Sequence, residues 1–248
     1  MLFFSQQGED LYLLKNFINK KNTSGIFVEV GALDGITYSN TGFLEQELGF
    51  SGVLIEPSRQ YERLSYSRPN CICVNKAISD KSETVVFRDD WAMSGILDKL
   101  PEDHKNNPRH TNGECYEVET VPLGLLLNEK KIPYVDFMSI DVEGGELEVL
   151  RSMDWSIPTY VICIELDNHD PQKDEACREI LRANGFTAHT RLTINEFWVN
   201  EKYERIPELF DRNTPYINWK GVNSVFQLGD FIRLEPCVVD EVQRAILG

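Results

Sequence analysis

Phe27-Val28-Glu29-Val30-Gly31-Ala32-Leu33-Asp34-Gly35 reads as a buried strand that runs into a glycine-bearing turn. Ile26, Phe27, Val28 and Val30 are β-formers in a short apolar run. Gly31 and Gly35 allow backbone angles and close approaches that a side chain would block. Ser39-Asn40-Thr41 follows as an N-cap cluster for the next helix. Strand, glycine turn and helix together open a nucleotide-type α/β fold.

The carboxylates decide what such a turn can bind. A phosphate-binding turn offers bare N–H groups at a helix N-terminus, where negative charge is welcome. Here Glu29 and Asp34 flank the turn, so a pyrophosphate would meet two anions. Gly31 and Gly35 are spaced G-x-x-x-G, and G-x-G-x-x-G is absent. A ligand with ribose hydroxyls and positive groups fits better. S-adenosylmethionine carries both an ammonium and a sulfonium. The alternative is an ordinary turn with surface carboxylates.

The chain has 248 residues, enough for one α/β domain with a sizeable core or one domain with an appendage. Its formal charge of −15 argues against nucleic acid or an anionic membrane as the main partner. The six cysteines form no C-x-x-C pair, so a zinc ribbon is not expected. Cys71 and Cys163 sit in apolar runs and read as buried free thiols. A reducing, cytoplasmic setting follows as the expectation, with neither a signal peptide nor an apolar span of membrane length in view.

Outward from the opening stretch, a helix begins at Ser5-Gln6-Gln7-Gly8-Glu9-Asp10, with Leu11, Leu14, Phe17 and Ile18 on one face. The spacing predicts a second helix over 40–48 stopped by Gly49, and a strand at 52–56 ending in Glu56. A helix over 58–66 and a third strand over 71–78 complete a βαβαβ rhythm, hence a parallel sheet with right-handed crossovers. After Ser79 the rhythm breaks: 83–87 reads as an added strand and 89–116 as a long polar loop. Further strands are expected at 117–121, 134–140 and 160–166, with helices at 122–130, 146–152 and 173–183. A closing strand pair lies at 186–189 and 196–199. The domain reading is 1–200 as the α/β domain, with 201–248 as an extension packed on it.

Ligands of open α/β sheets bind outside the carboxyl ends of the strands. Four such ends carry acids here: Glu29/Asp34, Glu56, Asp141/Glu143 and Glu165/Asp167. An acid at one strand end is often only an N-cap, and Asp141, Glu143 and Glu146 also suit the start of a helix. Four acidic ends together point to a functional cluster. Glu56 is placed to hold ribose hydroxyls. Ala77-Ile78-Ser79-Asp80 ends the third strand beside the expected adenine position, where Ile78 would pack on the ring and Ser79 would meet its edge.

These segments resemble the FkbM-type S-adenosylmethionine-dependent O-methyltransferases. The resemblance rests on 5–10, 27–35 with Ser39-Asn40-Thr41, Ile55-Glu56-Pro57, Ala77-Ile78-Ser79-Asp80, and Ser139-Ile140-Asp141-Val142-Glu143-Gly144-Gly145-Glu146. It covers about residues 5–166. It implies a Rossmann-like class I methyltransferase sheet, mostly parallel with a closing antiparallel strand and helices on both faces. It implies methyl transfer to a hydroxyl of a sugar, glycan or small molecule. It implies that Glu29, Gly31 and Asp34 shape the methionine side of the cofactor site and that Glu56 holds the ribose. Ser39 and Asn40 would face the methionine end, and Gln6 and Glu9 would close the site from the N-terminal helix.

Methyl transfer is an in-line displacement, so an acceptor oxygen must be positioned and its proton removed. Asp141, Glu143 and His169 are the candidate catalytic groups. Glu165, Asp167 and His169 alternate along the chain, and carboxylates with one histidine suit Mg²⁺ or Mn²⁺. Asp141, Glu165 and Asp167 are therefore candidate metal ligands, with helix caps and an ordinary loop histidine as the alternative. Two other functions stay in view. A NAD-dependent oxidoreductase or epimerase would want a Tyr-x-x-x-Lys pair, which Tyr12, Tyr61 and Tyr134 all lack. A non-catalytic α/β binding module would keep the fold without cofactor affinity.

Overall fold

The computed structural model describes residues 3–18, 25–106, 113–200, 202–203, 226–228 and 231–233. In chain order come α1 (Glu9–Asn16), β1 (Ile26–Val30), α2 (Gly42–Leu48), β2 (Ser51–Ile55), α3 (Tyr61–Ser67) and β3 (Ile72–Val74). The next are β4 (Ala77–Ile78), β5 (Thr84–Asp89), a 3-10 turn (Trp91–Met93), β6 (Gly95–Ile96), α4 (Glu102–Asn106) and β7 (Glu114–Val121). Then follow α5 (Leu123–Glu129), β8 (Val135–Ile140), α6 (Glu146–Arg151), β9 (Thr159–Glu165), α7 (Pro171–Ala183), β10 (Phe186–Leu192) and β11 (Asn195–Asn200).

The main sheet has seven strands in the order β10-β11-β9-β8-β1-β2-β3. All its pairs are parallel except those of β11, which runs antiparallel to both β9 and β10. This is the Rossmann-like class I arrangement expected from the sequence. Alternation along the strands divides the core in two. Phe27, Leu54, Phe137, Cys163 and Phe197 face one side, packed with Leu11, Phe43, Leu44 and Leu64 of α1, α2 and α3. Val28, Val53, Ile55, Met138, Ile162 and Trp198 face the other, with Leu123, Leu127, Val149, Leu150 and Leu181 of α5, α6 and α7. Each such buried side chain contributes about 1.5–3 kcal/mol by transfer from water.

Gly49 ends α2 at φ 68°, the left-handed cap that glycine adopts without strain. The expected third strand over 71–78 is instead two. The polar pair Asn75-Lys76 interrupts the apolar run, and Asn75 Nδ2 donates to the Glu56 carbonyl at 2.9 Å. The chain turns there. β3 pairs with β2 for three residues only, while Ala77-Ile78 leaves the sheet and pairs parallel with β7.

β4 thereby joins a second sheet, ordered β4-β7-β5-β6. The segment 89–116, expected as a polar loop, is part of this insertion: it holds the 3-10 turn, β6, α4 and the start of β7. Residues 107–112 lie outside the described residues, as does most of the expected 201–248 extension. Within the extension, Phe226–Leu228 pairs antiparallel with Phe231–Arg233. At the far edge of the main sheet, the β10–β11 register shifts between Ala188 and Thr190, the mark of a bulge.

Candidate active site

β1 lies between β2 and β8, so the strand order reverses beside it, and the ends of β1 and β8 form the switch point where open α/β sheets bind ligands. The strand ends are laced together: Gly31 N donates to Ile55 O at 3.0 Å, and Asp141 N to Val30 O at 3.0 Å. Gly31 has φ 88°, and a Cβ there would collide with the Asp141 carbonyl. Glycine is thus required by backbone packing at the crevice.

Behind the turn lies a buried polar network. Glu29 is buried on the face that carries Phe27, and its carboxylate accepts from Ser39 Oγ (2.9 Å), Asn40 N (2.7 Å) and Thr41 Oγ1 (2.7 Å). The fully buried Arg68 donates to Gly35 O, Ser39 Oγ and Thr41 Oγ1 and pairs with Glu45. Burial raises the Glu29 pKa, and the Arg68 charge opposes that rise. Asp34 caps its own turn, accepting from Ile36 N and from Thr37 N and Oγ1. The Asn40 amide donates to Ser139 Oγ at 2.9 Å, joining the helix entry to β8.

An open pocket sits above this network. Gly31, Leu33, Ser39, Glu56, Ile78, Asp141, Val142 and Glu143 line its sheet side. The insertion supplies the opposite wall with Phe87, Trp91, Gly95 and Ile96. Glu56 is held at its strand end by Leu33 N on one carboxylate oxygen (2.8 Å) and Ser58 N on the other (2.7 Å). Each oxygen keeps further acceptor capacity. Burial raises the Glu56 pKa, partly offset by these bonds.

A second cavity adjoins the first through Tyr38, Ala92, Asp141 and Glu143, which line both. Its remaining lining includes Gln6, His104, Glu165, Asp167 and His169. Glu165 and Asp141 share a hydrogen bond; burial and the Asp141 charge push the Glu165 carboxyl up to about 12. Burial raises Glu143 to about 7, against the contact of His104 Nδ1 at 3.2 Å from its carboxylate. Burial acts on Asp167 too, but the backbone N–H and ring of His169 hold it below the ordinary range. Backbone strain gathers here: Leu33, Tyr38, Trp91 and Glu143, all lining the first cavity, have positive φ between 47° and 60°.

The sequence matches the family model of the methyltransferase FkbM domain over residues 29–188. The chain belongs to the FkbM methyltransferase family. No curated protein matches it. Among solved structures it resembles methyltransferase FkbM from Methylobacillus flagellatus KT, with 15% identity, 79% of this chain and 48% of that one covered, and a TM-score of 0.50. The chain thus spans about half the length of that relative. Also similar are precorrin-6y C5,15-methyltransferase from Geobacter metallireducens GS-15 (12% identity, 80% and 89% covered, TM-score 0.42) and a Methanococcus jannaschii fibrillarin pre-rRNA processing protein (13%, 77% and 73%, 0.42).

Family membership implies S-adenosylmethionine and sets aside the dinucleotide oxidoreductase alternative. The first cavity is lined by the apolar side chains Ile55, Ile78, Phe87 and Ile96 and by the buried carboxylate of Glu56.

Of the FkbM cofactor residues expected from the sequence, Gly31, Ser39, Glu56 and Ile78 line that cavity, and Gln6 lines the second. Glu9, Glu29, Asp34, Asn40 and Ser79 are not among the residues that line either cavity. Glu9, Glu29, Asp34 and Asn40 bond to other groups of the chain, while the Ser79 hydroxyl bonds the exposed Asp80. Glu9 accepts from Asn195 and Gln7, and Ser79 N donates to Val121 O. The expected catalytic groups Asp141, Glu143 and His169 all face the second cavity. The expected metal set Asp141, Glu165 and Asp167 is divided: Asp141 and Glu165 group with Glu143, while Asp167 groups with His104 and His169. Trp91, Phe87, Ile96 and His104 lie in the stretch that sequence reading left as added strand and loop, where no periodicity assigned them a face. Tyr38, next to the cap cluster, carries no sequence signal of its own for a cavity wall.

Among the described residues, no helix is long and apolar enough to cross a membrane.

Proposed function

We propose that this chain transfers a methyl group to a hydroxyl of a sugar, glycan or small molecule, in the cytoplasm. The observation that carries the reading is the wall shared by the two cavities, formed by Asp141 and Glu143 at the end of β8. Bound S-adenosylmethionine supplies an electrophilic methyl on a sulfonium. Glu56 would hold its ribose, Ile78 and Ile96 its base, and Asp141 its positive end.

The acceptor enters the second cavity, opposite that wall. A sugar hydroxyl is a poor acid, so its proton needs a receiver within reach. Glu143 has that position, and burial brings its pKa to about 7, the useful range for a general base at neutral pH. Its contact with His104 fixes the carboxylate, and Glu165, holding its proton, donates to Asp141 rather than competing for the acceptor's. A polyhydroxylated or cationic acceptor suits these walls, while a phosphorylated one or a nucleic acid would face Asp141, Glu143 and Asp167 and a chain of net charge −15. A divalent ion, expected as Mg²⁺ or Mn²⁺, belongs to this reading only at the regrouped ligands taken up below.

The test is methyl transfer from labelled S-adenosylmethionine to a panel of sugars, amino sugars and small-molecule alcohols. Incorporation that survives mild base but is lost in Glu143→Gln supports O-methylation at this wall. Incorporation into nitrogen or carbon positions, or full activity in Glu143→Gln, rejects it.

A further inference from the structure

Two elements far apart in sequence bring nitrogen and oxygen ligands to one place in the second cavity. His104 comes from α4 of the insertion, and Asp167 and His169 come from the turn after β9. One ligand atom from each lies within 4.8 Å of the others. The two imidazole rings meet edge to face with centroids 4.9 Å apart. The His104 ring has the carboxylate of Glu143 at Nδ1. A carboxylate in that position orients a metal-binding imidazole, fixes its tautomer and raises its basicity.

The charge balance points the same way. Asp141, Glu143 and Asp167 line the second cavity beside Glu165, and its described lining contains no lysine or arginine. Lys173 pairs with Glu146 and Lys99 with Glu148, and the Lys173 charge also reaches Asp167. Buried carboxylates in such company either hold protons or hold a cation.

We propose that His104, Asp167 and His169 bind one divalent first-row transition ion, and that this ion pins α4 of the insertion against the core. Two imidazoles with one carboxylate select a borderline ion such as Mn²⁺, Co²⁺ or Zn²⁺ over Mg²⁺, whose preference is for oxygen alone. Three protein ligands leave positions for an acceptor hydroxyl. The ion's catalytic use rests on the methyl-transfer reading: it polarises the O–H, the proton passes to Glu143, and the oxygen forms its bond to the methyl carbon as the carbon–sulfur bond breaks. Ion binding itself does not depend on that reading.

The experiment uses the full chain, stripped with chelator, with no acceptor present. Mn²⁺ binding is followed by electron paramagnetic resonance, Co²⁺ binding by visible absorption, and S-adenosylhomocysteine binding by calorimetry as the separate check on the cofactor site. The expected result is one ion per chain, not displaced by Mg²⁺ in large excess. His104→Gln and His169→Gln should each weaken the ion by about tenfold or more, with S-adenosylhomocysteine affinity unchanged. Hydrogen exchange in α4 should slow on ion addition and stay unchanged in His169→Gln. Circular dichroism confirms that each variant is folded. No bound ion, equal displacement by Mg²⁺, or an ion held equally well by both variants overturns the proposal. Ion binding without cofactor binding would uphold this site and count against the methyltransferase reading instead.

Discussion

The Nδ1 of His104 lies 3.2 Å from a carboxylate oxygen of Glu143. This contact links the inserted sheet to the end of β8, and it places an ionisable pair between the two cavities. It also makes the site's protonation part of the fold's stability.

Stability should therefore fall as pH rises through neutrality. Glu9 and Glu143 each titrate near 7 in the folded chain, against 4.5 as the ordinary value, because burial disfavours their charged forms. The folded state then binds more protons than the unfolded one between about pH 4.5 and 7, and ΔG of unfolding declines across that window. The contribution is complete below the lower value and lost above the higher. Urea unfolding at pH 5 and pH 8, in chelator, should show a loss of roughly 1–3 kcal/mol per group. Glu9→Gln and Glu143→Gln together should flatten the dependence. A parallel loss in the double variant would show that other groups set it.

Glu29 should matter for folding more than for cofactor contact. Removing its carboxylate leaves the Ser39 and Thr41 hydroxyls and the Asn40 N–H without their acceptor beside the buried Arg68. Glu29→Ala should cost about 3 kcal/mol or more, since each buried unsatisfied group costs about 1–3. Denaturant titration measures it. Wild-type stability with lost S-adenosylhomocysteine affinity would instead restore Glu29 to the ligand.

For Glu56 the expectation is reversed. Its carboxylate lines the first cavity and is already oriented by Leu33 N and Ser58 N. Glu56→Gln should weaken S-adenosylmethionine by about 1–3 kcal/mol while adenine alone binds as before. Calorimetry with both ligands separates the two. Equal affinity for the cofactor in the variant removes Glu56 from the ribose position.

Trp91 gives a reporter for the opposite wall. It is 47% exposed, meets Tyr38 at 5.6 Å between ring centroids, and lines the cofactor cavity. Cofactor binding should shift its fluorescence and slow hydrogen exchange over 89–96. Trp91→Phe should abolish the fluorescence change and leave the exchange effect. An unchanged spectrum and exchange across this segment would mean that the insertion does not close on the ligand.

The main sheet was legible in the sequence because its strands are apolar runs punctuated by glycine and acids. Phe27–Val30, Val53–Ile55 and Phe137–Ile140 announce themselves by composition alone. The acids at the strand ends were legible as a group, but their directions were not. Glu29 and Glu56 look alike in sequence. The first points inward because strand alternation puts it on the Phe27 face, toward Ser39 and Thr41; the second ends its strand at the cavity. Ala77-Ile78 was read as a continuation of β3, since neither the Asn75 side chain's bond to Glu56 O nor the pairing with β7 leaves a local signature. His104 was visible only as a histidine in a polar stretch. What makes it part of the site is a contact with Glu143 across 39 positions, beyond the reach of any periodicity.

The early departure of Ala77-Ile78 has a consequence for how this protein survives at high concentration. It leaves β3 as a border only three residues long, too short to recruit a strand from a neighbouring molecule. The other border, β10, carries the bulge between Ala188 and Thr190, with Arg191 just beyond it. A kinked, charged border stacks poorly. Among the described residues, both borders of the seven-stranded sheet thus resist fibre-like self-association, and restoring a straight β10 by deleting His189 should make the chain aggregate.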